Sequence, residues 1–269
     1  MDSHSRNRER PRTVAARRRF LAGSAALVAA ALCGMPAALA QDDFTAPVED
    51  ELRPIRIGVF GDSLADGIWA GLYRTLHGNN RFEVARHTEV SSGLARPDFF
   101  DWEVELDEVL ASETIDIAVV CLGLNDNQPV YFEGRRQFEF GSEPWNEVYR
   151  ARVDSVLRRL RDAGIPTFWV GLPTVRDQRF AEQMAHLNTI FESQALVADA
   201  TFVPTLALTG DADGTYSAYL ADSDGRSRLM RANDGVHFTG RGYELIAKAL
   251  LAAMHEELPN LPVGEYVNG

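Results

Sequence analysis

Cysteine is scarce: 269 residues contain Cys33 and Cys121. Residues 1–40 read as an export signal that is removed, which leaves one thiol and excludes a disulfide within the chain. Cys121 sits inside the apolar run Ile117–Leu122, where a thiol is ordinarily packing rather than a nucleophile. Among the six histidines, no pair has a cysteine or carboxylate at zinc-site spacing, which argues against metal chemistry. A glycine-rich phosphate loop is also missing, because Gly61-Asp62-Ser63-Leu64 lacks the required spacing and Asp62 would repel a pyrophosphate. No cofactor is therefore expected. Basic residues are few: without the seven arginines and two acids of residues 1–40, 20 basic groups face 37 acidic ones, a net charge of −17. Such a surface repels phosphate backbones and anionic lipid heads, so nucleic acid is not an expected partner. No internal repeat or low-complexity tract follows the signal.

The N-terminal run Ala22–Cys33 is shorter than the roughly 20 residues that span a bilayer. It follows Arg17-Arg18-Arg19-Phe20-Leu21 and precedes Ala38-Leu39-Ala40, the pattern of a twin-arginine export signal cleaved between Ala40 and Gln41. A periplasmic or secreted product with no lasting membrane span is expected. Leu32 before Cys33 argues against a lipoprotein. Residues 41–54 are acidic and aperiodic, a flexible leader; 55–258 form one domain, and 259–269 a C-terminal tail.

From Ile55 onward short apolar runs alternate with amphipathic segments. Strands are expected near 55–60, 82–90, 115–122, 167–170 and 201–203, with helices between them. Between Trp145 and Leu160, Val148, Tyr149, Val153, Val156, Leu157 and Leu160 form one stripe, with Arg152, Arg158, Arg159 and Arg161 off it. This alternation predicts an α/β fold with five strands in a mainly parallel sheet covered on both faces, and ligands beyond the strands' carboxyl ends. Residues 126–143, with Tyr131, Phe132, Phe138 and Phe140, and residues 209–230, with Asp213-Gly214 and Asp224-Gly225, interrupt it. Both read as loops or small hairpins over the crevice, their aromatics either lining substrate or packing each loop locally.

Ser63 falls where the first strand turns into a helix, so starting N–H groups and the helix dipole favour negative charge beside its hydroxyl. Taken alone it could be a helix cap. Asp234 stands three residues before His237 in a turn, able to fix the imidazole tautomer and leave Nε2 as a base that activates a serine. Oxyanion donors are available from the Ser63 N–H, from Gly93 after the second strand and from the Asn125 amide after the third. Each has a plain alternative, a turn glycine, a left-handed turn residue or, for Asp234, a cap. Asp62, Asp126 and Arg231 are candidate substrate contacts. Arg176, Arg179 and Arg231 are the cations expected nearest the crevice, either meeting an anionic substrate group or forming ordinary surface ion pairs.

Taken together, Gly61-Asp62-Ser63-Leu64, Gly93, Gly123-Leu124-Asn125-Asp126 and Asp234-Gly235-Val236-His237 resemble the four blocks of the SGNH hydrolases, also called GDSL esterases, in order and across nearly the whole domain. The resemblance implies a flavodoxin-like three-layer α/β/α sandwich. It also implies Ser63 as nucleophile, His237 as base, Asp234 orienting it, and Ser63, Gly93 and Asn125 as the oxyanion hole. The chain is similar to exported bacterial members linked to O-acetyl groups on cell-surface carbohydrate. The Ser63 turn reads G-D-S-L-A and not the G-x-S-x-G elbow of other hydrolases. The expected function is an exported serine esterase that takes short acyl groups, acetyl above all, from a small-molecule or carbohydrate ester. An O-acyltransferase acting on cell-surface polysaccharide and a non-catalytic cell-wall-binding module are the alternatives.

Overall fold

A computed structural model describes residues 53–132, 135–211, 213–222 and 224–267. The signal sequence and all but the end of the leader lie outside them. The apolar run at Ile55 forms strand β1 (Ile55–Gly61), and Asp62 caps helix α1 (Ser63–Thr75) by accepting the Leu64 N–H at 2.9 Å. There follow β2 (Phe82–Thr88), α2 (Trp102–Ser112) and β3 (Ile117–Cys121). The first interruption holds β4 (Val130–Phe132) and β5 (Arg135–Phe138), and α3 (Glu143–Asp162) starts at the Ser142 cap. Then come β6 (Thr167–Val170), α4 (Gln178–Ala198), β7 (Thr201–Val203) and α5 (Leu206–Thr209). The second interruption holds β8 (Tyr219–Ala221) and β9 (Ser227–Leu229), before α6 (Gly240–Glu257) and α7 (Gly264–Val267) close the chain.

The main sheet runs β2-β1-β3-β6-β7, with every pairing parallel. Each strand of this sheet is joined to the next along the chain through a helix, as parallel strands require. Helix α1 packs against α6, and α3 packs against both α2 and α4, which gives a helical layer on each side of the sheet. All five residues of β3 are buried, each large aliphatic among them contributing about 1.5–3 kcal/mol. The five expected strands all form, each within a few residues of its anticipated bounds.

The order fixes where a site belongs. The chain passes from β1 outward to β2, then returns to β3 on the other side of β1, so a topological switch lies between β1 and β3. Ser63 follows β1, Gly93 follows β2 and Asn125 follows β3. All three leave the same edge of the sheet.

Both interruptions are two-stranded antiparallel hairpins, β4–β5 and β8–β9, each paired to itself. In the first, Phe138 and Phe140 pack against the core and Phe140 meets Trp145 edge-on at 4.7 Å, so local packing accounts for them. The Phe132 side chain lies outside the described residues. The expected C-terminal tail is instead part of the domain: Leu261 and Val263 are buried, and Asn79 donates to the Tyr266 hydroxyl at 3.0 Å. The leader's last residues are held too, Arg53 gripping Asp116 through two 2.7 Å bonds.

Candidate active site

Ser63 opens α1, so its backbone N–H belongs to the first turn and has no partner within the helix. Its Oγ lies 2.8 Å from His237 Nε2. On the other side of the ring, His237 Nδ1 is 2.8 Å from Asp234 Oδ2. A carboxylate there places the ring proton on Nδ1 and leaves Nε2 to accept from the serine. Asp234 is itself fixed, because its Oδ1 accepts the N–H groups of Val236 at 2.8 Å and His237 at 2.9 Å. Partial burial would raise the Asp234 carboxyl, but the Val236 N–H, the imidazole and the His237 N–H outweigh it and bring the group down to about 2. Residues 174 positions apart in the chain thus form one hydrogen-bonded relay.

The segment carrying Asp234 and His237 is braced from below by Arg231. Its guanidinium donates to the carbonyls of Val236 at 2.7 Å and Thr209 at 3.3 Å, and lies 4.0 Å over the Phe238 ring. Arg231 is 1% exposed. It supports the turn and does not face a substrate, contrary to the expected contact.

The loops that carry Ser63, Gly93 and Asn125 are held by two buried carboxylates. Asp62 binds Leu64 N–H through one oxygen and Leu124 N–H, at 3.1 Å, through the other. It thereby joins the nucleophile's turn to the residue before Asn125. Asp126 accepts from Leu94 N and Ala95 N, both at 2.8 Å, and from the Tyr149 hydroxyl at 2.7 Å. Both acids are 0% exposed, so neither is a substrate contact as the sequence suggested; they hold loops. Burial pushes the Asp62 carboxyl up to about 7 and raises Asp126, in each case against the donated N–H groups.

Gly93 sits directly over Asp126. A Cβ on it would fall 2.2 Å from Asp126 Oδ1, so the close approach of backbone to carboxylate requires glycine. Ser91, two residues earlier, holds φ at 66°, a left-handed conformation uncommon for a side chain other than glycine. The Asn125 amide donates to Ser92 O at 2.9 Å and has a second N–H to give. Arg152, set off the apolar stripe by helical spacing, also serves this loop: it donates to the carbonyls of Leu94 and Ala95 at 2.7 and 3.0 Å and to Tyr131 at 2.9 Å. Neither Arg152 nor Tyr149 carries a motif that would single it out in the sequence.

The remaining candidates stand apart from this relay. Cys121 is buried, which pushes its thiol well up, as befits a packing residue. His87 stacks on Phe60 at 4.9 Å, and His186 bonds Asn146 at 2.8 Å. Arg179 is exposed at the start of α4. Among the described residues no group of three or more histidines, cysteines and carboxylates is placed to hold a metal ion, and no helix is long and apolar enough to cross a membrane.

Solved structures share this architecture. A GDSL-like lipase from Bacteroides thetaiotaomicron superposes with a TM-score of 0.53 at 14% identity, over 75% of this chain and 88% of the lipase. A catalytic mutant of Axe2, an acetylxylan esterase from Geobacillus stearothermophilus, gives 0.52 at 15% identity, over 76% of this chain and 93% of that one. LAE5, an alpha/beta hydrolase enzyme from the metagenome of Lake Arreo, Spain, gives 0.57 at 15% identity, over 76% and 95%. The fold is therefore that of the SGNH or GDSL hydrolases. No curated protein matches the chain. The chain belongs to the family described as protein of unknown function (DUF459), whose model matches residues 56–253.

Proposed function

We propose that this protein is an exported serine esterase that removes short acyl groups, acetyl foremost, from a carbohydrate or similar hydroxyl-bearing substrate. The observation that carries the reading is the 2.8 Å contact of Ser63 Oγ with His237 Nε2, continued at 2.8 Å to Asp234. In this reading Oγ attacks the ester carbonyl carbon as its proton passes to Nε2, and Asp234 stabilises the imidazolium. The oxyanion formed is met by the N–H groups of Ser63 and Gly93 and by the second N–H of Asn125. Collapse breaks the bond to the alcohol, whose oxygen takes the proton from Nε2. Water, deprotonated by the same nitrogen, then attacks the acyl carbon, and collapse breaks its bond to Ser63 Oγ, which regains the proton from Nε2 as the acid leaves.

The acetyl preference is supported by the acetylxylan esterase among the structural relatives, and export by the signal at residues 1–40. Hydrolysis of 4-nitrophenyl acetate, with intact-mass detection of an acyl adduct, tests the reading. Ser63→Ala and His237→Ala are expected to abolish turnover, and Ser63→Ala the adduct; wild-type rates in both variants would refute it. With a glycan acceptor present, acylated glycan in place of free acid would assign the same acyl-enzyme to transfer.

A further inference from the structure

Arginines of this domain are mostly committed to carboxylates, as in the pairs Arg53–Asp116, Arg74–Glu244, Arg86–Asp66 and Arg96–Asp98. Two beside the His237 turn are not. Arg176, in the loop after β6, and Arg231 both lie against the ring of Tyr216, at 5.4 and 4.9 Å from its centroid. Among the described residues neither forms an ion pair with a carboxylate; their partners are carbonyl and hydroxyl oxygens. The two acids closest in sequence are engaged elsewhere, Asp177 capping α4 through the Phe180 N–H and Asp234 holding His237. A domain with a strong acidic excess thus carries two guanidiniums without a carboxylate partner next to its candidate active site.

Arg231 is enclosed, but Arg176 is exposed and oriented. Its backbone N–H donates to Gly235 O at 2.9 Å, and its guanidinium to Asn233 O at 3.0 Å and the Tyr216 hydroxyl at 3.3 Å. Its side chain crosses Gly235 so closely that a Cβ there would sit 2.7 Å from Arg176 Cβ and 2.9 Å from Nε. The guanidinium has five N–H bonds; two are used, and three remain for a planar anion. Because its side chain is already held, little conformational freedom is lost on gripping one.

The chemistry says which half of the ester would carry that anion. His237 returns its proton to the leaving oxygen, so the alcohol half lies on the His237 side of Ser63. Arg176 rests on the turn, Asn233 to Gly235, that leads into His237. We propose that Arg176, braced by Tyr216, binds a carboxylate on the alcohol half of the substrate, so that the enzyme selects acyl esters of acidic alcohols such as acidic sugars. This inference rests on the ester-hydrolase reading above.

The test compares 4-acetoxybenzoic acid, whose leaving phenol bears a carboxylate, with its neutral methyl ester. Both release the same acetyl group. The quantity read is the ratio of kcat/KM for the charged ester to that for the neutral one, in the wild type, Arg176→Gln and Arg176→Lys. The ratio is expected to fall by about tenfold in Arg176→Gln, with part of it restored in Arg176→Lys. Added salt is expected to lower the same ratio more in the wild type than in Arg176→Gln, because it screens the pair that the variant lacks. A ratio unchanged within about twofold in Arg176→Gln, or one that responds to salt identically in the wild type and Arg176→Gln, overturns the proposal. Failure of the wild type to hydrolyse either ester would instead overturn the esterase reading.

Discussion

Replacing Gly93 with alanine adds one methyl group at the point where backbone and buried carboxylate come closest. The new Cβ would stand 2.2 Å from Asp126 Oδ1, 2.7 Å from its Cγ and 2.9 Å from Oδ2. Carbon and oxygen do not approach so closely, so one side has to move by about 1 Å. Asp126 is held by Leu94 N, Ala95 N and the Tyr149 hydroxyl, which makes the Gly93 loop the part that gives way. A displacement of about 1 Å at a reacting centre costs about 10²-fold, and loss of one oxyanion donor about 10²–10³-fold in kcat, or roughly 3–4 kcal/mol. Crowding a packed site adds about 1–3 kcal/mol of instability, which for a domain of this size lowers Tm by about 2–10 °C. Steady-state hydrolysis of 4-nitrophenyl acetate, run beside a thermal melt, measures both. The loss should fall in kcat with KM little changed, since the donor acts on the oxyanion and not on the bound ester. Asp126→Ala opens the space, so adding Gly93→Ala to it should cost at least about 1 kcal/mol less stability than in the wild type. A Gly93→Ala enzyme with kcat within about twofold of wild type, or strict additivity of the two substitutions, would refute the reasoning.

Asp234→Asn should lower kcat by about 10⁴-fold, because an amide no longer fixes the Nδ1 proton; rates within about tenfold of wild type would remove Asp234 from the relay. Arg231→Met leaves the Val236 and Thr209 carbonyls without donors, and chemical denaturation should show a loss of about 2–3 kcal/mol; no loss would mean the turn stands unaided. Asp62, raised to about 7 in the fold from an ordinary 3.8, binds its proton more tightly folded than unfolded. Its contribution to stability is therefore full below about pH 4 and is lost as pH rises through 7, by a few kcal/mol. A carbon-13 titration of the Asp62 carboxyl with a midpoint below about pH 5 would contradict this.

The strands were legible because β1, β3 and β6 are short apolar runs bounded by turn residues, and because β3, covered on both faces, has no polar position to blur the signal. The partners Ser63, Asp234 and His237 were legible because their chemistry is local: a strand-to-helix turn, and an acid three residues before a histidine. Strand order was not, since nothing along the chain states that β3 returns beside β1. Asp62, Asp126 and Arg231 were misread for a related reason. In sequence they are charged groups beside a site, and only the fold reveals that backbone N–H groups or carbonyls surround each of them. Arg152 was hidden by the same rule, helical spacing placing its Cα but not the end of a long side chain. The chain end 259–269 was read as a tail, yet Leu261 and Val263 fill the core.

The two hairpins complete their hydrogen bonds largely among themselves. In β8–β9, Asp222 takes the N–H groups of Asp224 and Arg226, and nearby Asp211 takes those of Asp213 and Thr215. Neither hairpin lends a strand to the five-stranded sheet. Away from packed anchors such as Val130, Phe138 and Leu220, their sequences can thus change without breaking a hydrogen bond of the ladder that carries Ser63. A change of hairpin is therefore expected to leave the Ser63–His237–Asp234 relay in place.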